Sequence, residues 1–114
     1  MTTVATGQQA ETAAVEYLAR LGYKIIDRNW KTRYCEIDIV VQKKKIVHFV
    51  EVKYRLRDTQ GSGLDFITAT KLRQMHFAAD MWAQQYDWPG DYTLSAIEVS
   101  GPDFAVTEFL SDCS

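Results

Sequence analysis

A chain of 114 residues with 46% apolar composition is long enough to bury one hydrophobic core and too short for two, so residues 1–114 read as a single domain. No segment approaches the roughly 18 consecutive apolar residues of a membrane span, and Met1-Thr2-Thr3-Val4-Ala5-Thr6 sets no basic start before an apolar run, so a cytoplasmic protein with no membrane partner is expected. The net charge of −2 argues against a polyanionic partner only on average: residues 20–73 carry all 13 Lys and Arg against six acids, whereas residues 74–114 carry seven acids and no base.

In chain order, Ala10, Ala13, Ala14, Tyr17, Leu18 and Leu21 recur at three- and four-residue spacing, which predicts a helix from Gly7 to Leu21 that Gly22 ends. Tyr23 to Asp27 predicts a short strand, followed by a basic, aromatic-punctuated connection, Arg28-Asn29-Trp30-Lys31-Thr32-Arg33. Glu36 to Gln42 and Ile46 to Tyr54 predict two strands joined by a tight turn at Lys43-Lys44, that is, a hairpin. Arg55 to Gly63 has the composition of an exposed loop. Asp65 is placed to cap a second helix running to about Gln85, whose broad apolar face is expected to hold Ile67, Leu72, Met75, Phe77, Ala78, Ala79, Met81 and Trp82. Trp88-Pro89-Gly90-Asp91 reads as a turn, and Tyr92 to Val99 and Phe104 to Leu110 as two closing strands about Ser100-Gly101-Pro102-Asp103. Helices packed on a central sheet follow, in an α+β or mixed α/β sandwich.

Two acidic fragments stand out because they interrupt apolar strands. Glu36-Ile37-Asp38 and Glu51-Val52-Lys53 put three carboxylates and an ammonium among Ile37, Ile39, Val40, Val41, Phe49, Val50 and Val52. Burying a carboxylate costs several kcal/mol unless a partner compensates. Side chains alternate along a strand, so Glu36 shares a face with Asp38, and Glu51 shares one with Lys53. In a hairpin these pairs converge. Asp38 and Glu51 would each offer a carboxylate oxygen to Mg²⁺ or Mn²⁺, the Val52 carbonyl another, and Lys53 would stand beside the ion. A cross-strand set of salt bridges on an exposed sheet face answers to the same spacing.

Around this cluster, basic and aromatic residues alternate in Arg28-Asn29-Trp30-Lys31-Thr32-Arg33-Tyr34, a texture that suits tracking a phosphate backbone and stacking a base; within it Lys31 and Arg33 suit phosphate contact, and Trp30 is expected to pack into the core. Lys43-Lys44-Lys45 reads as a solvated hairpin tip. His48 and His76 lack partners at metal-ligand spacing and are expected to be structural. Cys35 and Cys113 lack zinc-site spacing as well and read as reduced thiols.

Taken in order, Gly7-x-x-Ala10-Glu11-x-x-Ala14, Tyr17-Leu18, Gly22-Tyr23, Arg28-Asn29-Trp30, Glu36-Ile37-Asp38-Ile39-Val40, Phe49-Val50-Glu51-Val52-Lys53 and Lys71 resemble the YraN-like family of small bacterial proteins. That family is grouped with the PD-(D/E)xK nuclease superfamily, which also holds restriction endonucleases and archaeal Holliday-junction resolvases, and endonuclease activity is ascribed to it. The resemblance implies a restriction-endonuclease-like fold with a central mixed five-stranded sheet flanked by helices, in the order α-β-β-β-α-β-β. It implies Asp38 and Glu51 as metal ligands, Lys53 as the catalytic lysine, and Glu11 on the first helix as a further metal ligand and catalytic residue. Glu36 is expected to support these residues rather than ligate. Lys31, Arg33, Arg55, Lys71 and Arg73 are the expected nucleic-acid contacts. Two departures from the family pattern stand at Cys35, where glycine is usual, and at Thr93-Leu94-Ser95, where an Arg and an Asp are missing.

The expected activity is therefore a Mg²⁺- or Mn²⁺-dependent endonuclease acting on DNA, branched or otherwise structured DNA included. Cutting both strands of a symmetric junction needs two active sites and favours a homodimer. A nucleic-acid-binding module without useful turnover, and a protein-interaction domain presenting the acidic C-terminal third, are the competing expectations.

Overall fold

In the computed structural model, which describes residues 3–56 and 63–113, a five-stranded sheet in the order β1-β2-β3-β4-β5 lies between two helices. Helix α1 (Thr3–Arg20) precedes β1 (Lys24–Lys31), β2 (Glu36–Lys43) and β3 (Ile46–Arg55); α2 (Ala69–Gln85) then leads to β4 (Asp91–Ser100) and β5 (Ala105–Leu110). The order α-β-β-β-α-β-β is the expected one. Neighbouring strands are antiparallel except β3 and β4, which run parallel from Ile46↔Asp91 to Arg55↔Ser100. Parallel strands cannot be joined by a tight turn, and α2 lies in the connection between them.

Each helix covers one face of the sheet. Ala10, Ala14 and Leu18 of α1 pack with Ile39, Val41, Val50, Ile97 and Val99. Met75, Ala78, Ala79 and Trp82 of α2 pack with Val40, Val47, Phe49 and Leu94. The central strands are thus buried on both sides, which is why β2, β3 and β4 read as nearly continuous apolar runs. Among the described residues, no helix is long and apolar enough to cross a membrane.

Helix α1 ends as Gly22 predicts. Gly22 has φ +93°, its N–H donates to the Ala19 carbonyl at 3.1 Å, and the Tyr23 N–H donates to the Leu18 carbonyl at 3.0 Å. This is a glycine-dependent helix stop, and the Lys43 ammonium adds a cation by donating to the Leu21 carbonyl at 2.9 Å.

Several boundaries differ from expectation for identifiable reasons. Arg28 to Lys31 belong to β1 rather than to a connection, because Trp30 pairs with Ile37 and is buried against α2, as its expected core role requires. The hairpin turn is Lys44-Lys45, with Lys44 at φ 58°, one residue later than Lys43-Lys44. Helix α2 starts at Ala69 because Thr68 caps it, its hydroxyl accepting the Lys71 N–H at 3.1 Å. Asp65, the expected cap, instead pairs with the Arg55 guanidinium. Of the expected loop, residues 57–62 lie outside the described residues.

Candidate functional site

The ladder between β2 and β3 runs from Lys43↔Ile46 only as far as Ile39↔Val50. Beyond it the strands diverge, and the next β3 N–H on that side has no strand carbonyl to meet. The Asp38 carboxylate accepts it: Val52 N to Asp38 Oδ2 is 2.8 Å. Since the N–H and C=O of one strand residue leave the backbone on the same side, the Val52 carbonyl faces the same opening.

A break in side-chain alternation places Asp38 there. Ile37 packs on the α2 side with Trp30, whereas Ile39, two residues on, packs on the α1 side. Asn29, opposite this stretch between Arg28↔Ile39 and Trp30↔Ile37, has φ 52°. Asparagine tolerates that left-handed conformation better than most residues, and the local reversal leaves Asp38 at the opening between the strands instead of squarely on one face.

Three acidic side chains, Asp38, Glu11 and Glu36, line this opening. Asp38, Glu11, Glu36 and Val52 line a cleft of about 420 Å³ with Gly7, Gln8, Asn29 and Lys31. Glu36 also lines a second cleft, of about 440 Å³, together with Glu51, Lys71 and Arg73. Glu36 therefore stands where the two clefts meet, itself exposed and 3.9 Å from the Lys31 ammonium.

The electrostatics follow from burial without enough positive charge. Asp38 is pushed up to about 7, first by burial and then by the charge of Glu51, with Glu11 and Glu36 adding to it; the Val52 N–H pulls the other way. Glu11, only 7% exposed, is also raised by burial, against the pull of Arg28 and Lys31. Arg28 donates from Nε to Glu11 at 3.4 Å and from its terminal nitrogen to the Thr12 hydroxyl at 3.0 Å, tying β1 to α1. Glu51 pairs with the Lys71 ammonium at 2.8 Å. Burial lowers the Lys71 pKa, but its bond to Glu51 and the charges of Glu51, Asp38 and Glu36 outweigh that effect and leave it raised.

Asp38, Glu11, Glu36 and Val52 are thus brought together on one cleft, and Glu51 adjoins it through Glu36. Among the described residues no group of three or more His, Cys, Asp or Glu side chains is arranged to enclose an ion. Mg²⁺ commonly takes only one or two carboxylates and fills its shell with water and substrate oxygens, so Asp38 and the Val52 carbonyl are the groups here that could offer it oxygens. A carboxyl held near 7 by its acidic neighbours is a donor that a divalent cation would return to the charged form.

The cations separate into three groups. Lys53 is exposed, in register with Glu98 of β4, and lines neither cleft. Lys71 and Arg73 line the second cleft, Lys31 lines the first, and Arg33 is exposed beside the β1–β2 turn. Arg55 corrects its expected role as a nucleic-acid contact. It is 5% exposed, donates from Nε to Glu98 at 2.8 Å and pairs with Asp65, so its charge is spent inside the fold.

His48 is structural, as expected. It is 8% exposed and lies 3.0 Å from the Ser95 hydroxyl, which itself donates to the Ser111 carbonyl at 2.8 Å. The family departure at Ser95 is thereby absorbed, because its small hydroxyl bridges β3 to the segment after β5. The departure at Cys35 is equally local. Four described non-glycine residues have positive φ and Cys35 is not among them, so a Cβ costs nothing there. Both cysteines are free.

Tyr34 closes the basic, aromatic stretch from Arg28 whose texture suits a phosphate backbone and a stacked base, whereas Phe77, expected on the buried face of the second helix, is instead exposed and lines the second cleft. Asn29 carried a further signal, as a left-handed-tolerant residue between Arg28 and Trp30 in a strand; Arg28 reaches Glu11, and Tyr34 and Phe77 meet at the second cleft, through tertiary contacts alone.

The family model described as uncharacterised protein family UPF0102 matches residues 10–99; that family is the YraN-like group. A UPF0102 protein of Vibrio campbellii is 37% identical over 102 residues, covering 85% of this chain and 84% of its own length. One from Mycolicibacterium vanbaalenii is 37% identical over 93 residues, 82% and 75% of the two chains. One from Pseudomonas putida is 40% identical over 86 residues, 75% and 69% of the two chains.

Proposed function

This chain belongs to the uncharacterised protein family UPF0102, and we propose that it is a metal-dependent endonuclease that hydrolyses phosphodiester bonds in DNA on a restriction-endonuclease-like fold. The observation that carries the reading is Asp38, a largely buried carboxyl raised to about 7 at the opening where the β2–β3 ladder ends. Strongly shifted carboxyls in a cleft mark functional sites more often than ordinary surfaces do.

Asp38, Glu51 and the Val52 carbonyl would hold Mg²⁺ or Mn²⁺, with Glu11 on the α1 wall of the same cleft. The ion would supply a water acidic enough to attack phosphorus and a positive charge against the phosphate. The chain's own groups do the rest. The Val52 N–H orients Asp38, Arg28 holds Glu11, and Lys71 neutralises the Glu51 carboxylate until an ion takes its place. Lys53, on the same face of β3 as Glu51, would steady negative charge on the phosphate. Lys31, Lys71 and Arg73 rim the two clefts and would position the strand.

A second reading, a nucleic-acid-binding module without turnover, is favoured by the Lys71–Glu51 ion pair, which compensates one of the carboxylates internally.

Purified protein incubated with junction, duplex and single-stranded DNA in Mg²⁺ or Mn²⁺ tests the proposal. Cleavage should disappear in Asp38→Ala, Glu51→Ala and Lys53→Ala while circular dichroism stays unchanged. Intact DNA with every substrate and both metals across a wide pH range would overturn it. Salt-sensitive DNA binding that ignores EDTA and Asp38→Ala would select the second reading.

A further inference from the structure

The second cleft has a chemistry that phosphate hydrolysis alone does not require. Tyr34, in the turn between β1 and β2, and Phe77, on α2, both line it, and they are 68% and 51% exposed. Neither supports the core. The residues of α2 that cover the sheet are Met75, Ala78, Ala79 and Trp82, and Tyr34 lies outside both core clusters.

Cations accompany the rings. Lys71 and Arg73 line the same cleft, and the Arg33 guanidinium lies over the Tyr34 ring at 5.4 Å. Glu51 is the more buried acid of the cleft and is already paired with Lys71, so its charge is compensated. A volume of about 440 Å³ suits a single small ligand. Exposed rings beside exposed cations are the combination that binds unpaired nucleotides, since every base has a π-face and every link a negative charge.

Resting on the nucleic-acid reading above, we propose that this cleft is a base-binding subsite. It takes an unpaired nucleotide of a DNA strand, with the base against Tyr34 and Phe77 and the phosphate against Arg73 and Arg33. The preferred substrate is then DNA with a single-stranded segment next to the scissile link, and a fully paired blunt duplex leaves the subsite empty.

Fluorescence anisotropy in EDTA, with a labelled dT 12-mer and a 12-base-pair blunt duplex, tests this without any cleavage. The wild type should bind the single strand more tightly than the duplex. Tyr34→Ala/Phe77→Ala should weaken single-strand binding about tenfold to a hundredfold and leave duplex binding within about twofold, and Tyr34→Trp/Phe77→Trp should restore it. A 2-aminopurine placed in the dT strand should be quenched on binding to the wild type, a readout that needs no variant. Unchanged single-strand affinity in the double alanine variant, equal losses on both probes, or no quenching would overturn the subsite. Cleavage assayed alongside separates the two proposals. A wild type that cuts DNA while the double variant keeps full single-strand affinity removes the subsite alone, and a protein that shows the stacking loss but cuts nothing removes the nuclease reading alone.

Discussion

The Asp38 carboxylate accepts the main-chain N–H of Val52 at 2.8 Å, in the position where the β2–β3 ladder would otherwise have placed a carbonyl. One contact therefore closes the end of a hairpin and fixes a largely buried carboxyl beside Glu51 and within the field of Glu11 and Glu36. Structure and site depend on the same atoms, and substitution can separate the two roles.

Asp38→Asn keeps an oxygen for the Val52 N–H and removes the charge. The folded-state pKa, about 7, lies above the ordinary 3.8, so the metal-free native state holds a proton that the unfolded chain has lost. That contribution is present at low pH and disappears as pH rises from about 4 through about 7. The substitution should leave stability unchanged near pH 4. It should raise stability near pH 8 by at most about 4 kcal/mol, since each tenfold change in proton affinity is worth about 1.4 kcal/mol, while abolishing Mn²⁺ binding. Thermal melts across pH, paired with Mn²⁺ titration, check both halves. A variant that is destabilised at pH 8 would show that the carboxylate holds the hairpin through its charge.

Lys71 competes with any cation for Glu51, to which it is bonded at 2.8 Å. With the lysine about one-third exposed, the ion pair is worth at most about 1 kcal/mol. Lys71→Ala should therefore tighten Mn²⁺ binding by about twofold to fivefold and weaken DNA binding, as calorimetry and anisotropy would register. Weaker Mn²⁺ binding would instead show that the lysine holds Glu51 in place for the ion.

Arg55 and Glu98, 5% exposed each, form a pair inside the fold. Glu98→Ala leaves a buried guanidinium short of one carboxylate and removes the acceptor of the Thr107 hydroxyl at 2.6 Å. It should cost about 3 kcal/mol in urea unfolding. Arg55→Met/Glu98→Leu should recover most of that loss, because the penalty is an unpaired charge rather than a missing attraction. DNA binding at low salt should be indifferent to the double substitution.

Gly22 sits at φ +93°, where an L side chain is strained even though there is room for one, the Lys43 Cε lying 3.9 Å from where a Cβ would stand. Gly22→Ala should cost about 1–2 kcal/mol, read as a lower melting temperature with no change in DNA binding. An unchanged melt would mean that the stop of α1 is held by Lys43 and packing instead.

Local rules determined much of this molecule from the chain alone. The three- and four-residue spacing of Ala10, Ala14 and Leu18 marks the buried face of α1, Gly22 its end, and the apolar runs of β2, β3 and β4 the centre of the sheet. Acidic residues in such runs also announced the site, since burial makes a carboxylate conspicuous wherever it occurs. What required the tertiary structure were relations between distant segments. Thr68 rather than Asp65 caps α2 because Arg55 engages Asp65. Arg55 faces Glu98 only because β3 and β4 run parallel in one register, and Lys71 meets Glu51 only because α2 lies across β3. Strand periodicity places Glu36 and Asp38 on one face, yet the left-handed turn of Asn29 and the end of the β2–β3 ladder bring Asp38 to the opening between strands. Propensity and alternation act over a few residues and are written in sequence; ion pairs, registers and the meeting of two clefts at Glu36 arise from packing between segments that only the folded chain brings into contact.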